Sequence, residues 1–508
     1  MDILKRLQEH SRNIPEQPAI VSETEQLNYR QLEEYSNALA SYLTASYGKS
    51  KEPIVVYGHK NVFMIVCFLA CVKAGRGYCP IDVSVPAERA AAIINEARPP
   101  VVLMPENAKF MAGESEPINL SQIQAICREG DAGPDADAWV KDGDTFYIIF
   151  TSGSSGTPKG VKISLGCLNH FLDWAVELGI PSKEKRGSTF LNQAPFSFDL
   201  SVMDLYTCLA CGGTLWVMTK EVQGDYQKMF RLMEDSDVKV WVSTPSFADV
   251  CLADQKFAQK LLPSLRAFLF CGETLTNRTA LQLQERFPKA VIVNTYGPTE
   301  STVALTEVKV DRELAVNENP LPVGRVKRGS AIEIWDEQGK AMPDGESGEI
   351  ILMGDTVSTG YHQREELSRK SFFMCRRNDE VLRGYHTGDS GYLKNGMLYY
   401  LGRLDRQIKL HGYRIELDDI EQNLLRLDRV KSAVVTANER DEKITGLTAH
   451  IVYDRKVEDG RQEARRMKEE LKEFLPEYMI PKRIRFLDSI PMTANGKVDR
   501  KMLQGAVR

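Results

Sequence analysis

Two periods of apolar spacing alternate along most of the chain. Short runs rich in β-branched and aromatic residues, among them PIVVYG, VVLMP, FYIIF, GTLWVM, VKVWVS, AFLFCG and AVIVNTYG, read as strands. Between them lie stretches such as MIVCFLACVKAG and YQKMFRLMEDS, whose apolar residues recur at helical spacing. Such alternation predicts α/β architecture, with parallel sheets flanked by helices. From about Pro320 the texture changes to SAIEIWDEQGKAMPDGESGEIILMG, in which turn-rich DEQGK and PDGESG separate the runs, and antiparallel hairpins are predicted. A third texture follows GRLDRQIK: a helix ELDDIEQNLLRL, a strand KSAVVTA, a charged helix EARRMKEELKEFL and a strand in KRIRFLDSI. These predict a small α+β domain.

Composition narrows this picture. A chain of 508 residues exceeds what one hydrophobic core usually supports, so more than one domain is expected. Hydrophobic residues at 43% and charged residues at 27% exclude a disordered or fibrous chain. The opening MDILKRLQEHSRNIPEQ is an amphipathic helical pattern without the apolar stretch and cleavage site of a secretory signal. The longest apolar run, Val62 to Val72, falls well short of the ~20 residues of a membrane span. A cytoplasmic protein that does not insert into membranes is expected. The ten cysteines lie mostly inside apolar stretches, as suits reduced, buried thiols, and the C-x-x-C of Cys208 and Cys211 lacks a second ligand pair and reads as a packed helix end. The seven histidines form no metal-binding arrangement. A net charge of −5 without a basic tract gives nucleic-acid binding no electrostatic support. Residues from Asp405 onward carry a small excess of Lys and Arg, which makes them a candidate face for an acidic partner.

The most informative polar stretch is TSGSSGTPKG, residues 151 to 160, directly after the apolar TFYIIF and before the β-prone GVKIS. A linker joins independent segments; this stretch is predicted as a tight loop on a sheet. Successive N–H groups of a glycine-rich turn form an anion-binding nest, to which Thr151, Ser152, Ser154, Ser155 and Thr157 add hydroxyls and Lys159 a charge, around Gly153 and Gly156. Thr157 and Pro158 separate Gly156 from Lys159, so the loop is not a Walker A motif. Phosphate binding and a plain structural turn both remain open on these residues alone.

Further stretches occur in a fixed order: LNYRQL from Leu27, VKAGRGYCPID from Val72, the loop, FSFDLSVMD from Phe196, NTYGPTE from Asn294, YHTGD from Tyr385, GRLDRQIKLHGYRIELDDIE from Gly402, LPEYMIP from Leu475 and NGKVDRK from Asn495. This set resembles the core motifs of the adenylate-forming superfamily, specifically its amino-acid adenylation enzymes, across essentially the whole chain. Ser155 stands where that family often has Thr, and His386 where Arg is frequent. The resemblance implies an N-terminal adenylation domain over residues 1–404, with a small β-barrel-like part from about 320, and a mobile C-terminal domain over 405–508 that turns about a hinge at Asp405. It implies ATP and Mg²⁺ as cofactors, formation of an acyl adenylate with release of pyrophosphate, and transfer of the acyl group to a thiol. Lys497 and Arg403 are the implied catalytic residues and Glu300 the Mg²⁺ carboxylate. The nucleotide falls to the loop residues, to Asn294, Thr295, Tyr296, Gly297, Pro298 and Thr299, to Asp389 for the ribose, to Tyr400, Leu401, Gly402 and Arg403, and to Lys497. Asn294 offers an amide to the adenine edge and Tyr296 a ring for stacking. Gly412, in KLHGYR, belongs to the implied thiol tunnel.

For the substrate, Asp199 falls where amino-acid-activating members place a carboxylate for the α-ammonium. A buried carboxylate without a partner is costly, which argues for a cationic one. The matching pocket positions are Leu200, Met203, Leu269, Cys271, Thr295, Val303 and Ala304, with Lys497 on the substrate carboxylate. No acid or base faces the side chain and Met203 is bulky, so a small apolar amino acid, glycine or alanine, is expected. Cys271 is the residue expected to crowd the methyl of L-alanine. A freestanding chain with NQAPFSFDLSVMDLY and FLFCGETL resembles the branch of the family that loads D-alanine onto the phosphopantetheine of a small acidic carrier protein for teichoic acid esterification. A monomer is expected. Two alternatives stand beside this reading: an adenylation enzyme for another small amino acid in nonribosomal synthesis, and a nucleotide sensor without chemistry.

Overall fold

The computed structural model describes residues 1–106, 117–130, 133–153, 157–377, 380–440, 443–454, 457–492 and 498–505. Each strand-like run of the first part forms a strand, and the strands collect into two large sheets. In the nine-stranded sheet six strands run parallel through the middle: Pro18–Val21, Thr214–Val217, Thr189–Asn192, Val238–Ser243, Ala267–Phe270 and Val291–Tyr296, in that spatial order. The six-stranded sheet is parallel except for its last hairpin, Thr145–Thr151 with Lys159–Ser164.

The period of two explains how these sheets stack. Ile54 and Val56 of the strand Ile54–Tyr57 join one apolar cluster with Phe190, Val240, Leu269 and Val293 of the other sheet, while Val55 and Tyr57 face the helix Ala87–Ala97 on the opposite side. Between the sheets lie the helices Val62–Lys73 and Leu200–Ala210, in which every residue is buried. A helix apolar all round has to be covered all round, and two sheets do this. The outer face of the nine-stranded sheet, with Trp216, Trp241, Phe268 and Phe270, is closed by Met229, Met233, Ala280 and Leu283 of outer helices.

The hairpins expected after Pro320 form a five-stranded antiparallel sheet between Ser330 and Arg403. Residues Ile408 to Phe486 then build an apolar cluster of their own, in which the helices Leu417–Leu425 and Gly460–Leu471 pack on the sheet of Val430–Arg440, Lys443–Tyr453 and Arg483–Phe486. All ten cysteines are free thiols, nine of them buried, and Cys211 caps the end of the helix Leu200–Ala210. Among the described residues no helix is long and apolar enough to cross a membrane.

Candidate active site

In parallel sheets the loops that follow the carboxyl ends of the strands gather on one edge, where ligands bind. Here that edge brings together Asp199 after Thr189–Asn192, Thr244 after Val238–Ser243, Cys271 and Gly272 after Ala267–Phe270, Gly297 after Val291–Tyr296, and the glycine-rich loop after Thr145–Thr151. The hairpin Gln407–Leu410 with Tyr413–Glu416 closes over them from the carboxyl-terminal part. Between the two lies a cleft of about 550 Å³ lined by Asn294, Thr295, Tyr296, Gly297, Tyr400, Leu401, Gly402 and Arg403, with Lys409 and Lys443 on its far wall.

The glycine-rich loop is the turn of an antiparallel hairpin, Thr151 paired with Lys159. A side chain at Gly153 would place its Cβ 2.2 Å from the carbonyl oxygen of Thr157, so the turn closes too tightly for any other residue. The Thr151 hydroxyl is buried and lacks a hydrogen-bond partner among the described residues. Ser152 Oγ donates to the Arg414 carbonyl at 2.7 Å and accepts from the Glu416 N–H at 3.2 Å. Lys159 Nζ lies 3.6 Å from Glu300 and over the ring of Tyr361, and burial pulls its pKa down to about 8. Ser154, Ser155 and Gly156 lie outside the described residues, as does Lys497.

Asp389 is fully buried, with Oδ1 accepting from Arg403 Nη1 at 2.7 Å and Oδ2 from the Tyr296 hydroxyl at 2.5 Å. Each oxygen keeps a further lone pair for a sugar hydroxyl. Tyr296 thus has a bond to Asp389 besides the ring it presents to the cleft, where Tyr400 lies tilted at 5.8 Å. Asn294 commits one amide N–H to the Pro322 carbonyl. Arg403 also grips Asp405 through Nε and Nη2, so the ribose carboxylate and the expected hinge share one guanidinium.

A smaller cavity, about 30 Å³, opens beside Asp199; Leu200, Cys271, Gly272 and Val303 form one side of it, and Asp389, Arg403, Lys409 and Arg414 the other, with Gly412 between them. Met203, Leu269, Thr295 and Ala304 do not line it. Met203, Leu269 and Ala304 are buried in the core behind it, and Thr295 lines the larger cleft instead, so the bulk of Met203 acts through its neighbours and not by direct contact. Cys271 Sγ donates to the Val303 carbonyl at 3.5 Å, and Thr302 and Val303 both have positive φ, an uncommon backbone for β-branched residues. Burial raises the pKa of Asp199 to about 6, against a hydrogen bond from Thr299 and the nearby cations Lys409 and Arg414. Among the described residues this is a carboxylate short of a close positive partner.

A model of the AMP-binding enzyme family matches residues 7–362, and one of the AMP-binding enzyme C-terminal domain matches residues 419–497. The chain belongs to the AMP-binding enzyme family. It is 46% identical over 510 residues to a protein of Bacillus licheniformis and 44% identical over 514 residues to one of Bacillus cereus, each named "D-alanine--D-alanyl carrier protein ligase", with all of both chains covered in each case. Among solved structures it resembles holo-PA1221, an NRPS protein containing adenylation and PCP domains bound to vinylsulfonamide inhibitor, at a TM-score of 0.84 and 25% identity over 99% of this chain and 84% of that one. The fold is also that of o-succinylbenzoate CoA synthetase from Bacillus subtilis, with TM-score 0.84, 21% identity and 98% of each chain covered.

For an AMP-binding enzyme, which uses ATP, the decisive group for a metal is Glu300. It is fully buried, Oε2 accepts from Arg414 Nη1 at 2.7 Å and Oε1 from the Tyr361 hydroxyl at 2.8 Å. Burial alone would raise its pKa, yet Arg414, Lys159 and Tyr361 together hold it down at about 2. Arg414 and Lys159 already set two positive charges against this carboxylate, so the residues do not fit a divalent cation in the orientation described. No group of three or more His, Cys, Asp or Glu forms a metal cage among the described residues. The sequence alone gave no role to Arg414, Tyr361, Lys409 or Phe198. Arg414 lies inside KLHGYR, and Phe198 beside Asp199, where adjacency was a signal; Tyr361 had none.

Proposed function

We propose that this AMP-binding enzyme activates D-alanine with ATP as D-alanyl adenylate and passes the acyl group to the phosphopantetheine thiol of an acidic carrier protein, the first step of D-alanine esterification of teichoic and lipoteichoic acids. In the first half-reaction a carboxylate oxygen of D-alanine attacks the α-phosphorus as the bond to pyrophosphate breaks. In the second the thiol sulfur attacks the acyl carbon, the bond to AMP breaks, and the thiol proton goes to solvent.

The observation that carries the reading is Asp199, a buried carboxylate that makes no ion pair among the described residues and stands at a small cavity with Leu200, Cys271 and Val303, as a carboxylate awaiting the α-ammonium of a small amino acid would. The name shared by the Bacillus relatives points to the same substrate and acceptor. Asp389 is proposed for the ribose, the Thr151–Lys159 loop for the phosphates and Lys497 for the reacting carboxylate. Asp405, in the short link between the strand Met397–Arg403 and the hairpin, is proposed as the hinge, a role suited to an element boundary. The hairpin with Gly412 packed against Gly272, Phe198 and Thr244 supports the thiol-accepting orientation. Mg²⁺ at Glu300 is proposed for an orientation in which Arg414 has withdrawn. A monomer working in the cytoplasm is part of the reading.

Pyrophosphate exchange into ATP with D-alanine, L-alanine, glycine and D-serine tests it. D-alanine should give the highest kcat/KM. A preference for L-alanine or glycine would overturn the substrate, and exchange with none of them would favour a nucleotide sensor.

A further inference from the structure

Tyr361 lies where the five-stranded sheet meets the hairpin that carries the glycine-rich loop, and its backbone is fixed on both sides. It forms an antiparallel bridge with Val161 of the strand Lys159–Ser164, and the neighbouring His362 donates its N–H to the Gly160 carbonyl at 2.7 Å. The N–H of Tyr361 goes to Ser368 Oγ at 2.9 Å, and Phe372 meets its ring edge-on at 5.2 Å. The side chain is buried, and its hydroxyl sits between two charged groups. Oη donates to Glu300 Oε1 at 2.8 Å and accepts from Lys159 Nζ at 3.4 Å, while Nζ stands 4.9 Å from the centre of the ring. Nζ and Oε1 are themselves 3.6 Å apart, well beyond the about 2.7–2.9 Å of a direct contact. Among the described residues the hydroxyl is the one hydrogen-bond acceptor of this ammonium, which leaves Lys159 two N–H donors for another group.

We infer that Tyr361 is a positioning residue of the phosphate loop: it holds the Lys159 ammonium short of Glu300 and so keeps it free for the phosphates of ATP. This rests on Lys159 serving the phosphates, as the proposed function has it. Opposite charges in a buried site attract strongly, because little water screens them. Arg414 holds the other oxygen of Glu300, Oε2, at 2.7 Å, so Oε1 is where Lys159 would close. Without the hydroxyl, Glu300 loses a donor and Lys159 its acceptor, and the pair should close the gap, committing the ammonium to the carboxylate. With it, a neutral donor serves Oε1 and the face of the ring carries the ammonium at its present distance. Tyr361 thus acts on ATP through Lys159.

The test is binding of α,β-methylene-ATP and of adenosine, which has the base and ribose without phosphates, measured by calorimetry on the whole chain. Y361F keeps the ring and removes only the hydroxyl. Its Kd for α,β-methylene-ATP should rise by about five-fold or more, with adenosine within about two-fold of the parent. K159M should weaken α,β-methylene-ATP and not adenosine, and in that background Y361F should add less than about two-fold, because no ammonium is left to hold. Pyrophosphate exchange should show the same split, a raised KM for ATP in Y361F with the KM for D-alanine within about two-fold. Binding of α,β-methylene-ATP by Y361F within about two-fold of the parent, an equal loss for adenosine, or the same loss with and without the Lys159 ammonium overturns the positioning role. If Y361F does not fold, Y361H, whose ring nitrogens stop short of the place of the hydroxyl, is judged by the same limits. K159M separates the layers: unchanged binding of α,β-methylene-ATP in K159M shows that Lys159 does not serve the phosphates, and Tyr361 then has nothing to position, whereas a loss in K159M with none in Y361F leaves the phosphate loop standing and removes only Tyr361.

Discussion

Gly412→Ala should separate the two half-reactions. Gly412 sits at φ 81°, and a Cβ built there lies 2.5 Å from Thr244 Cγ2 and 3.2 Å from the ring of Phe198. Carbon atoms pack at about 3.5–4.0 Å, so one of these elements must give way. The left-handed backbone costs an alanine roughly 1–2 kcal/mol, but under the proposed rotation about Asp405 the loop carries that cost in either orientation and it cancels. The clash exists only when the hairpin is docked, and overpacking of this kind costs about 1–3 kcal/mol. Thioester formation from supplied D-alanyl adenylate and carrier protein should therefore slow by roughly 5- to 150-fold, while pyrophosphate exchange stays within about two-fold. Thr244→Ser removes Cγ2 and keeps the hydroxyl that caps the helix Pro245–Leu252, so it should restore transfer in the double variant. Equal losses in both assays, or no rescue by serine, would refute the reasoning.

Three further outcomes are expected. Lys497→Ala should abolish pyrophosphate exchange yet spare transfer from supplied adenylate; loss of both would show that one orientation serves the whole reaction. Asp199→Asn should raise the KM for the amino acid with little change for ATP. Because the folded pKa of Asp199, about 6, lies above the ordinary carboxylate value, ionising it costs stability, a cost absent below about pH 4 and fully present above about pH 6. The asparagine variant without substrate should thus be more stable at pH 7.5, by about 3 kcal/mol for a carboxyl raised this far, and gain nothing at pH 4; an equal gain at both pH values in thermal unfolding would place the effect elsewhere. Cys271→Ala should improve kcat/KM for L-alanine more than for D-alanine, within the about 1–3 kcal/mol that one small group confers in an apolar pocket, and an unchanged D/L ratio in exchange assays would remove its sulfur from the selectivity.

The sequence by itself determined which segments are strands and helices and where the chemistry clusters. Strands buried on both faces read as short apolar runs bounded by turns, and Val62–Lys73 reads as a helix covered on every side, because periodicity records burial locally. The glycine-rich loop was legible as a tight turn directly after an apolar strand, whereas Asp199 and the GPTE glutamate stood out only through the resemblance of their motifs to those of the family. Three things were decided by tertiary structure alone. Met203 falls behind Leu200, Cys271 and Val303 and not at the cavity wall, since spacing tells how deeply a side chain is buried but not in which direction it points. The Tyr296 hydroxyl meets Asp389 across 93 positions of sequence and Arg414 meets Glu300 across 114, contacts that no local pattern encodes. Above all, the sequence carries Lys497, proposed for adenylation, and Arg414, which meets Glu300, in one stretch of about a hundred residues and does not choose between the orientations that would use them. That choice is a balance of a few interdomain ion pairs against hydration, far smaller than the burial that folds each domain, and it exists only once both surfaces have formed.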